Sequence, residues 1–540
     1  MFGLVRSSRR WAALVCVFAL QSGCFAAQTA AAGSAMPRIE QHDGRYALFV
    51  NGRPYLMLAA QINNSSAWPA MLPEVWPAIE AIHANTVEMP IYWEQFEPQQ
   101  GHFNDSVLLT LLHQAREHKV HLVLLWFGTW KNGSPHYTPS WIKLDNARYP
   151  RMVCSNGQEV DSLSPLSQAT LDADKTAFSA LMRELKSADP QHTVIMVQVE
   201  NETGTWGCVR DFSPEANRLF AGAVPAALVK GLHKQPGTWT QVFGEDAPVA
   251  FHAWNVARYV GKVAAAGKAV YPLPMYANAA LKPIGDAKPG TYESGGPTDN
   301  VLGIWKVAAP ALNVLAPDIY DPRYSDYMDY LKYYGRADNP LMVPETGNAS
   351  AYARYFFAVL GQGGMGFSPF GIDFTEYRNE PLGARRLTAK DLTPFALDYA
   401  IAGPMDRELA RLSYEGKLKG VAESSAVHTQ TLDFGAWRAV VSYGKPQFGF
   451  GPPAKGNPEP DGGALIGELG PNEFLVSAIH ARVDFEPVEA GKQRQFVQVD
   501  QGYYKDGVWH FERIWNGDQT DYGLNFTSAP QVLRVTLATY

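Results

Sequence analysis

Residues 193–204 read TVIMVQVENETG. An apolar, β-branched run closes there on the polar group Glu200-Asn201-Glu202 and a glycine, which is how a strand of a parallel sheet runs out into a functional loop. The pattern recurs at 54–62, 86–93, 120–128, 271–278, 313–320, 340–346 and 365–373, eight apolar runs in all. Between them lie stretches of helical period, among them 170–187, 214–233, 252–266 and 350–360. Strand and helix alternate, so the spacing predicts an α/β fold. Eight strands with eight crossovers over about 320 residues predict a (β/α)8 TIM barrel enlarged by insertions, with an open doubly wound sheet as the alternative. GQGGMG at 361–366 matches a dinucleotide fingerprint in letters alone, because it follows a helix and precedes a strand.

Beyond 388–418, which reads as helical, the period changes. Short runs at 436–443, 473–485, 494–499, 508–515 and 531–537, with a Pro/Gly-rich loop at 449–463, predict a smaller all-β, sandwich-like domain. The expected organisation is a leader and linker over 1–35, a catalytic barrel over 36–418 and a β domain over 419–540. Trp437, Tyr503, Tyr504 and Trp509 of that domain are either a sugar platform or packing residues.

The 540 residues are 46% hydrophobic with a formal charge of −7, which excludes a disordered chain and gives no basic footprint for nucleic acid. Arg6, Arg9 and Arg10 precede an apolar run at 11–20 and a small-residue stretch, the layout of a secretory signal, too short to span a bilayer. The expectation is an exported protein, periplasmic or secreted. Gly23-Cys24 offers a second outcome, a lipid anchor on Cys24 in an outer-membrane lipoprotein. Of four cysteines, two fall in that leader, and Cys154 and Cys208 remain as a pair expected to be bridged in an oxidising compartment. No C-x-x-C or HExxH occurs, and His113, His118 and His121 do not converge on one ion, so neither metal nor organic cofactor is expected.

In a parallel barrel the reactive groups sit where strands end. The fourth run ends on Asn201-Glu202 and the seventh, PLMVPETGN, on Glu345. Two carboxyls on strands four and seven can come within about 5–5.5 Å, the separation at which one protonates a glycosidic oxygen while the other attacks the anomeric carbon. Glu202 is read as the acid, since it stands at the polar exit of its strand. Glu200, two residues earlier, is expected on the same side one layer deeper.

These residues resemble a known family. The Asn-Glu after strand four and the lone Glu after strand seven are similar to the large retaining-glycosidase clan. ANTVEMPIYWEQFEPQQGHFN at 84–104, taken with VQVENETG, resembles glycoside hydrolase family 35, the β-galactosidases, over about 45–373. The resemblance implies Glu202 as acid/base, Glu345 as nucleophile, Asn201 as ligand of the sugar 2-hydroxyl, and Glu97 as a galactose contact. The departures are Pro90 and Phe96, where members carry Tyr and His, and LWFGTWKNG, where they carry an Ala-Glu segment. The chain is thus similar to a divergent bacterial branch that strips galactose from plant cell-wall polysaccharides such as xyloglucan. Its expected partner is a galactosylated oligosaccharide or polysaccharide.

Aromatics at strand ends suit a sugar because pyranose C–H faces stack on flat rings. Trp93, Trp126, Trp130, Trp206 and Tyr320 all fall at such ends and are candidate substrate contacts or packing residues. Tyr320 is also placed to donate a hydrogen bond to Glu345. The inserts at 131–161 and 282–298 are expected to wall the site into a pocket. The leading reading is a retaining exo-β-galactosidase. The alternatives are another retaining β-glycosidase of the clan and a catalytically silent carbohydrate-binding protein.

Overall fold

The chain was analysed as a computed structural model that describes residues 35–446, 448, 453–505 and 507–540. The expected signal and the Cys24 anchor lie outside the described residues. Eight parallel strands close into a barrel: β1 (Met57–Gln61), β2 (Thr86–Tyr92), β3 (His121–Lys131), β4 (Val194–Asn201), β5 (Met275–Ala280), β6 (Val314–Ile319), β7 (Val343–Thr346) and β8 (Gly366–Pro369). Each falls within or beside its expected run. Closure is completed by β8 pairing with β1, where Gly366 faces Met57 and Phe367 faces Leu58, so no edge is left open. The open-sheet alternative is thereby excluded.

The strands are buried on both faces because helices cover the outside, which is why they read as unbroken apolar runs instead of alternating ones. The longest helices, Gln168–Ala188 and Ala247–Val270, pack on each other beside β4. The expected strand at 54–62 is two elements. Arg53–Tyr55 belongs to an antiparallel three-stranded sheet with Arg38–His42 and Arg45–Val50, and only Met57–Gln61 enters the barrel. The expected helix at 214–233 likewise splits into Pro214–Ala221 and Ala226–Gly231. Pro225 caps the second piece and its missing N–H cannot extend the first.

The C-terminal region is a two-sheet sandwich. One sheet has six strands: β9 (Leu418–Ala422), β12 (Gly463–Gly470), β13 (Glu473–Ile479), β18 (Val532–Thr539), β15 (Arg494–Lys505) and β16 (Val508–Ile514), in that order. The other has four: β10 (Thr429–Phe434), β11 (Trp437–Ser442), β14 (Ala481–Pro487) and β17 (Leu524–Phe526). Phe434, Trp437 and Phe485 from one sheet meet Ile466, Phe474 and Leu533 from the other in a closed core. The run at 473–485 divides into two strands at His480, whose φ of 45° turns the chain from one sheet to the other. Of the expected aromatic platform, Trp437 is in this core and Tyr504 is buried, while Tyr503 faces solvent.

The sandwich packs on the barrel through β9 and the helix Tyr355–Gly361. The approach is close enough that a Cβ on Gly361 would stand 2.1 Å from the Gly420 carbonyl oxygen. GQGGMG thus begins with a residue kept small by a packing contact, in the helix-to-strand turn expected for it. Among the described residues no helix is long and apolar enough to cross a membrane.

Candidate active site

Glu202 and Glu345 meet at the C-terminal mouth of the barrel. Carboxylate oxygens of Glu202, Asp318 and Glu345 lie within 4.8 Å of one another, and all three residues are buried. A cavity of about 530 Å³ opens above them, inside the range of about 300–1,000 Å³ usual for small-ligand sites.

The local backbone explains how two successive residues both reach the mouth. Glu200 and Glu202 have φ of 64° and 44°, in the left-handed region that side chains other than glycine rarely occupy. These two reversals break the strand's alternation. Asn201 then points at Glu345 and Glu202 lines the cavity, while Glu200 leaves the barrel interior. Glu200 does not sit one layer beneath Glu202 as its spacing suggested. Its carboxyl accepts from the Trp130 N–H at 2.8 Å and lies against Asp174 of the helix Gln168–Ala188. Burial and that neighbour push Glu200 well above the usual carboxylate range.

The two mouth glutamates have opposite surroundings. Glu345 collects donors: Gln61 Nε2 at 2.9 Å, Asn201 Nδ2 at 3.2 Å and Asn278 Nδ2 at 3.4 Å on Oε1, with the Tyr320 hydroxyl at 2.8 Å on Oε2. Donors converging on both oxygens suit an ionised carboxylate. They also place the positive ends of four dipoles where a cation at the three carboxyls would have to sit, so this donor set fits a nucleophile better than a metal ligand. Glu202 has no such ring. Burial and the charge of Glu345 push it up to about 7, against the pull of Lys131, whose Nζ is 4.0 Å from its Oε2, and of a hydrogen bond with Asp318. Asp318 is itself held well above the carboxylate range by burial and by Glu345 and Glu202, and accepts from Asn278 Nδ2 at 2.7 Å. Asn278 therefore ties the cluster together, since its Oδ1 also accepts the Glu202 backbone N–H at 3.0 Å.

The structure brings Glu202, Glu345, Asn201 and Tyr320 together. Trp206 is 53% exposed and lines the cavity. The remaining expected contacts are elsewhere. Glu97 is buried with its carboxyl taken by Trp93 Nε1 at 2.8 Å and the Gly101 N–H at 2.7 Å, which closes the turn after the short helix Trp93–Phe96. Trp93, Trp126 and Trp130 are at most 2% exposed and none lines the cavity. Trp126 donates to Asp174 at 2.9 Å and Trp130 packs edge-on to Tyr259. These four residues cap the barrel core from outside, so their position at strand ends reflects packing. Both inserts reach the rim, through Lys131 and Asn132 and through Pro283, Ile284 and Glu293. The segment after β8 adds a wall with Tyr377 and Leu382.

Five site residues were not singled out in the sequence: Gln61, Lys131, Asn278, Glu293 and Asp318. Asp318 is near the end of β6, two residues before Tyr320, which follows the strand directly, the spacing that shares a face, and Gln61 and Asn278 are polar residues toward the exits of β1 and β5. Glu293 lies in a loop, where no period marks it. Cys154 and Cys208 form a disulfide with Cα atoms 5.5 Å apart. It ties the short hairpin Arg151–Leu163 to the loop after β4, packed against Met152 and Phe212.

Residues 395–527, which span most of the sandwich and the helices before it, match a family described as a domain of unknown function, DUF5597. The β-galactosidase of Xanthomonas manihotis is 25% identical over 181 residues, 32% of this chain and 28% of that protein. Among solved structures, the β-galactosidase from Bacillus circulans sp. alkalophilus aligns with a TM-score of 0.48 and 13% identity over 66% of this chain and 57% of that one. The β-galactosidase from the psychrophilic Marinomonas ef1 aligns with a TM-score of 0.49 and 10% identity over 66% and 61%. The chain thus spans about a quarter of the curated relative and under two thirds of either structural neighbour.

Proposed function

We propose that the protein is a retaining β-glycosidase that removes terminal β-galactosyl units, a divergent relative of glycoside hydrolase family 35. The observation that carries this reading is the pairing of Glu202 with Glu345. One oxygen of each lies within 4.8 Å of the other, which supports the close pairing, about 5–5.5 Å between carboxyls, at which a carboxylate attacks directly over the roughly 6.5–9.5 Å that leaves room for an inverting water. The asymmetry assigns the roles.

Glu345 attacks the anomeric carbon as the bond to the leaving oxygen breaks, and Glu202 gives that oxygen its proton. A glycosyl ester on Glu345 results. Water then attacks the same carbon, Glu202 takes a proton from it, and Glu345 is released, so the product keeps its anomeric configuration. A carboxyl titrating at about 7 serves both steps at neutral pH. Asn201 Oδ1 is buried and has no partner among the described residues, which leaves it free to accept from the sugar 2-hydroxyl while Nδ2 holds Glu345. The name of the Xanthomonas relative supports galactose as the sugar. Walls on several sides support removal of end units over cleavage within chains.

The test is a panel of aryl β-glycosides with the product anomer followed by NMR. A preference for the β-galactoside with β-galactose released first is expected. Release of the α anomer, or equal rates on glucoside and galactoside, would overturn the mechanism or the substrate respectively.

A further inference from the structure

We propose that Trp206 and Glu293 form a subsite for the leaving group, and that the leaving group it accepts is a hydroxyl-bearing sugar. The inference rests on the retaining-glycosidase reading and extends it to the other side of the scissile bond.

The Glu293 carboxyl is buried and lines the cavity, and it is held from one side only. The Trp206 indole N–H donates to its Oε1 at 3.0 Å, whereas Oε2 has no hydrogen-bond partner among the described residues. A buried carboxyl with one oxygen unspent is costly unless a ligand group completes it. Burial and the nearby charge of Glu202 hold it well above the carboxylate range, so it can donate as well as accept, which suits a sugar hydroxyl. Trp206 supplies the flat face, since it is anchored at its N–H while about half of its surface stays open.

The position assigns the side. The floor that holds Glu345 is made of Gln61, Asn201, Asn278 and Tyr320 and includes neither residue. The charge of Glu202 acts on Glu293 more strongly than those of Lys131 and Glu345, and a Cβ on Gly133, whose N–H donates to the Glu202 carbonyl at 3.0 Å, would meet Glu293 Oε1 at 3.3 Å; an acid that protonates the bridging oxygen stands between the departing group and the retained one.

The pair is also built to stay in place. Thr205 and Ser294 exchange backbone hydrogen bonds at 2.9 and 3.2 Å, and the Gly207 N–H donates to the Gly290 carbonyl at 3.0 Å, so the loops carrying the two residues form one rigid ribbon. A Cβ on Gly204 would meet the Glu293 carbonyl oxygen at 3.0 Å, and one on Gly133 would meet the Gly204 carbonyl oxygen at 2.6 Å. The Cys208 disulfide fixes the same ribbon two residues past Trp206.

The experiment compares Glu293→Ala, Trp206→Ala and Trp206→Phe with the wild type on two kinds of substrate. One is a set of β-galactosyl disaccharides; the other is β-galactosyl fluoride, whose leaving group has neither ring nor hydroxyl. The ratio of kcat/KM for the best disaccharide to that for the fluoride should fall at least tenfold in Glu293→Ala and Trp206→Ala. Trp206→Phe, which keeps the ring and loses the N–H, should recover part of it. Transfer of the glycosyl group to added sugar acceptors should fall in parallel. An unchanged ratio in both alanine variants, or equal losses on both substrates, would overturn the proposal. Trp206 is exposed enough that its variants fold whether or not Glu293→Ala does. Wild-type protein inert on disaccharide and fluoride alike would instead overturn the glycosidase reading beneath it.

Discussion

Replacing Lys131 by Met should move the alkaline limb of the activity profile upward. On the proposed mechanism Glu202 carries a proton to assist departure of a poor leaving group, so kcat/KM for such a substrate falls as pH rises through its pKa, which stands at about 7. Lys131 favours the ionised form of Glu202, and its Nζ lies 4.0 Å from Oε2. Two unit charges about 4 Å apart interact by about 1 kcal/mol in bulk water and about 4 kcal/mol at the effective dielectric of a protein surface. Removing the cation therefore raises the Glu202 pKa by about 0.8 to 3 units. With side chains only 6% and 11% exposed, the rise exceeds the bulk-water end of that range, and the limb should shift from about 7 to about 8 or above. Lys131 also draws the neighbouring Glu293 and Asp318 toward their ionised forms, so those carboxyls hold their protons more readily in the variant and offset part of the rise at Glu202. The assay is kcat/KM against pH on an alkyl β-galactoside. β-Galactosyl fluoride, which needs no proton from Glu202, serves as a control without that limb. A limb that stays within about 0.3 unit of wild type, or moves down, would refute the coupling and leave Lys131 as a partner of Asn132 alone.

Other consequences of the same geometry can be checked directly. Glu345→Ala should lose nearly all turnover, and added azide or formate should restore some of it with the opposite anomer as product, because the anion attacks from the vacated face; rescue without inversion would contradict its role. Glu202→Ala should slow aryl substrates with good leaving groups far less than alkyl ones, and a uniform loss would remove Glu202 as the acid. Glu200→Gln should keep activity within a few-fold of wild type, since its carboxyl serves Asp174 and Trp130; a loss as large as that of Glu202→Gln would reverse the assignment. Replacing Cys154 and Cys208 by Ser opens a link across a sequence separation of 54. In the chain-entropy treatment this costs about 4 kcal/mol before any strain is counted. A melting temperature unchanged by the double substitution would show that the bridge contributes nothing.

The barrel was legible because burial on both faces leaves a strand only one kind of sequence, an apolar run with a polar exit. Eight such runs could be counted without knowing their partners. The sandwich was less legible. β9, β10, β12 and β17 went unread: β10, with Thr429, Thr431 and Asp433 outside, is short and mixed, and β12 is largely buried but begins and ends on glycine beside the Pro/Gly-rich stretch. Within the site, Glu202, Glu345, Asn201 and Tyr320 stood out as strand-end residues that carry chemistry. The same rule left Trp93, Trp126 and Trp130 open between substrate contact and packing, because a strand end does not say which way a ring turns, and in the structure they pack. Glu97, read from the family resemblance, was misplaced for a different reason: Trp93 and Gly101 had already taken its carboxyl.

The separation of Glu200 from Glu202 shows most clearly where period-based reasoning stops. Two carboxylates at i and i+2 of a regular strand share a face, and on that reading the site would contain a third buried acid directly below the pair. The chain avoids this by entering the left-handed region at both glutamates. Each such residue costs on the order of 1–3 kcal/mol and persists only where its surroundings hold it. Those surroundings are visible: Asp174 and the Trp130 N–H on one side, Asn278 and Lys131 on the other. The strain sends one carboxyl to the helix layer and turns the next two residues into the mouth. There Asn201 binds Glu345 with one end of its amide and keeps the other free. A regular strand could present only one of these two side chains to the cavity, so the irregularity at β4 is what lets an adjacent Asn-Glu face the same cavity.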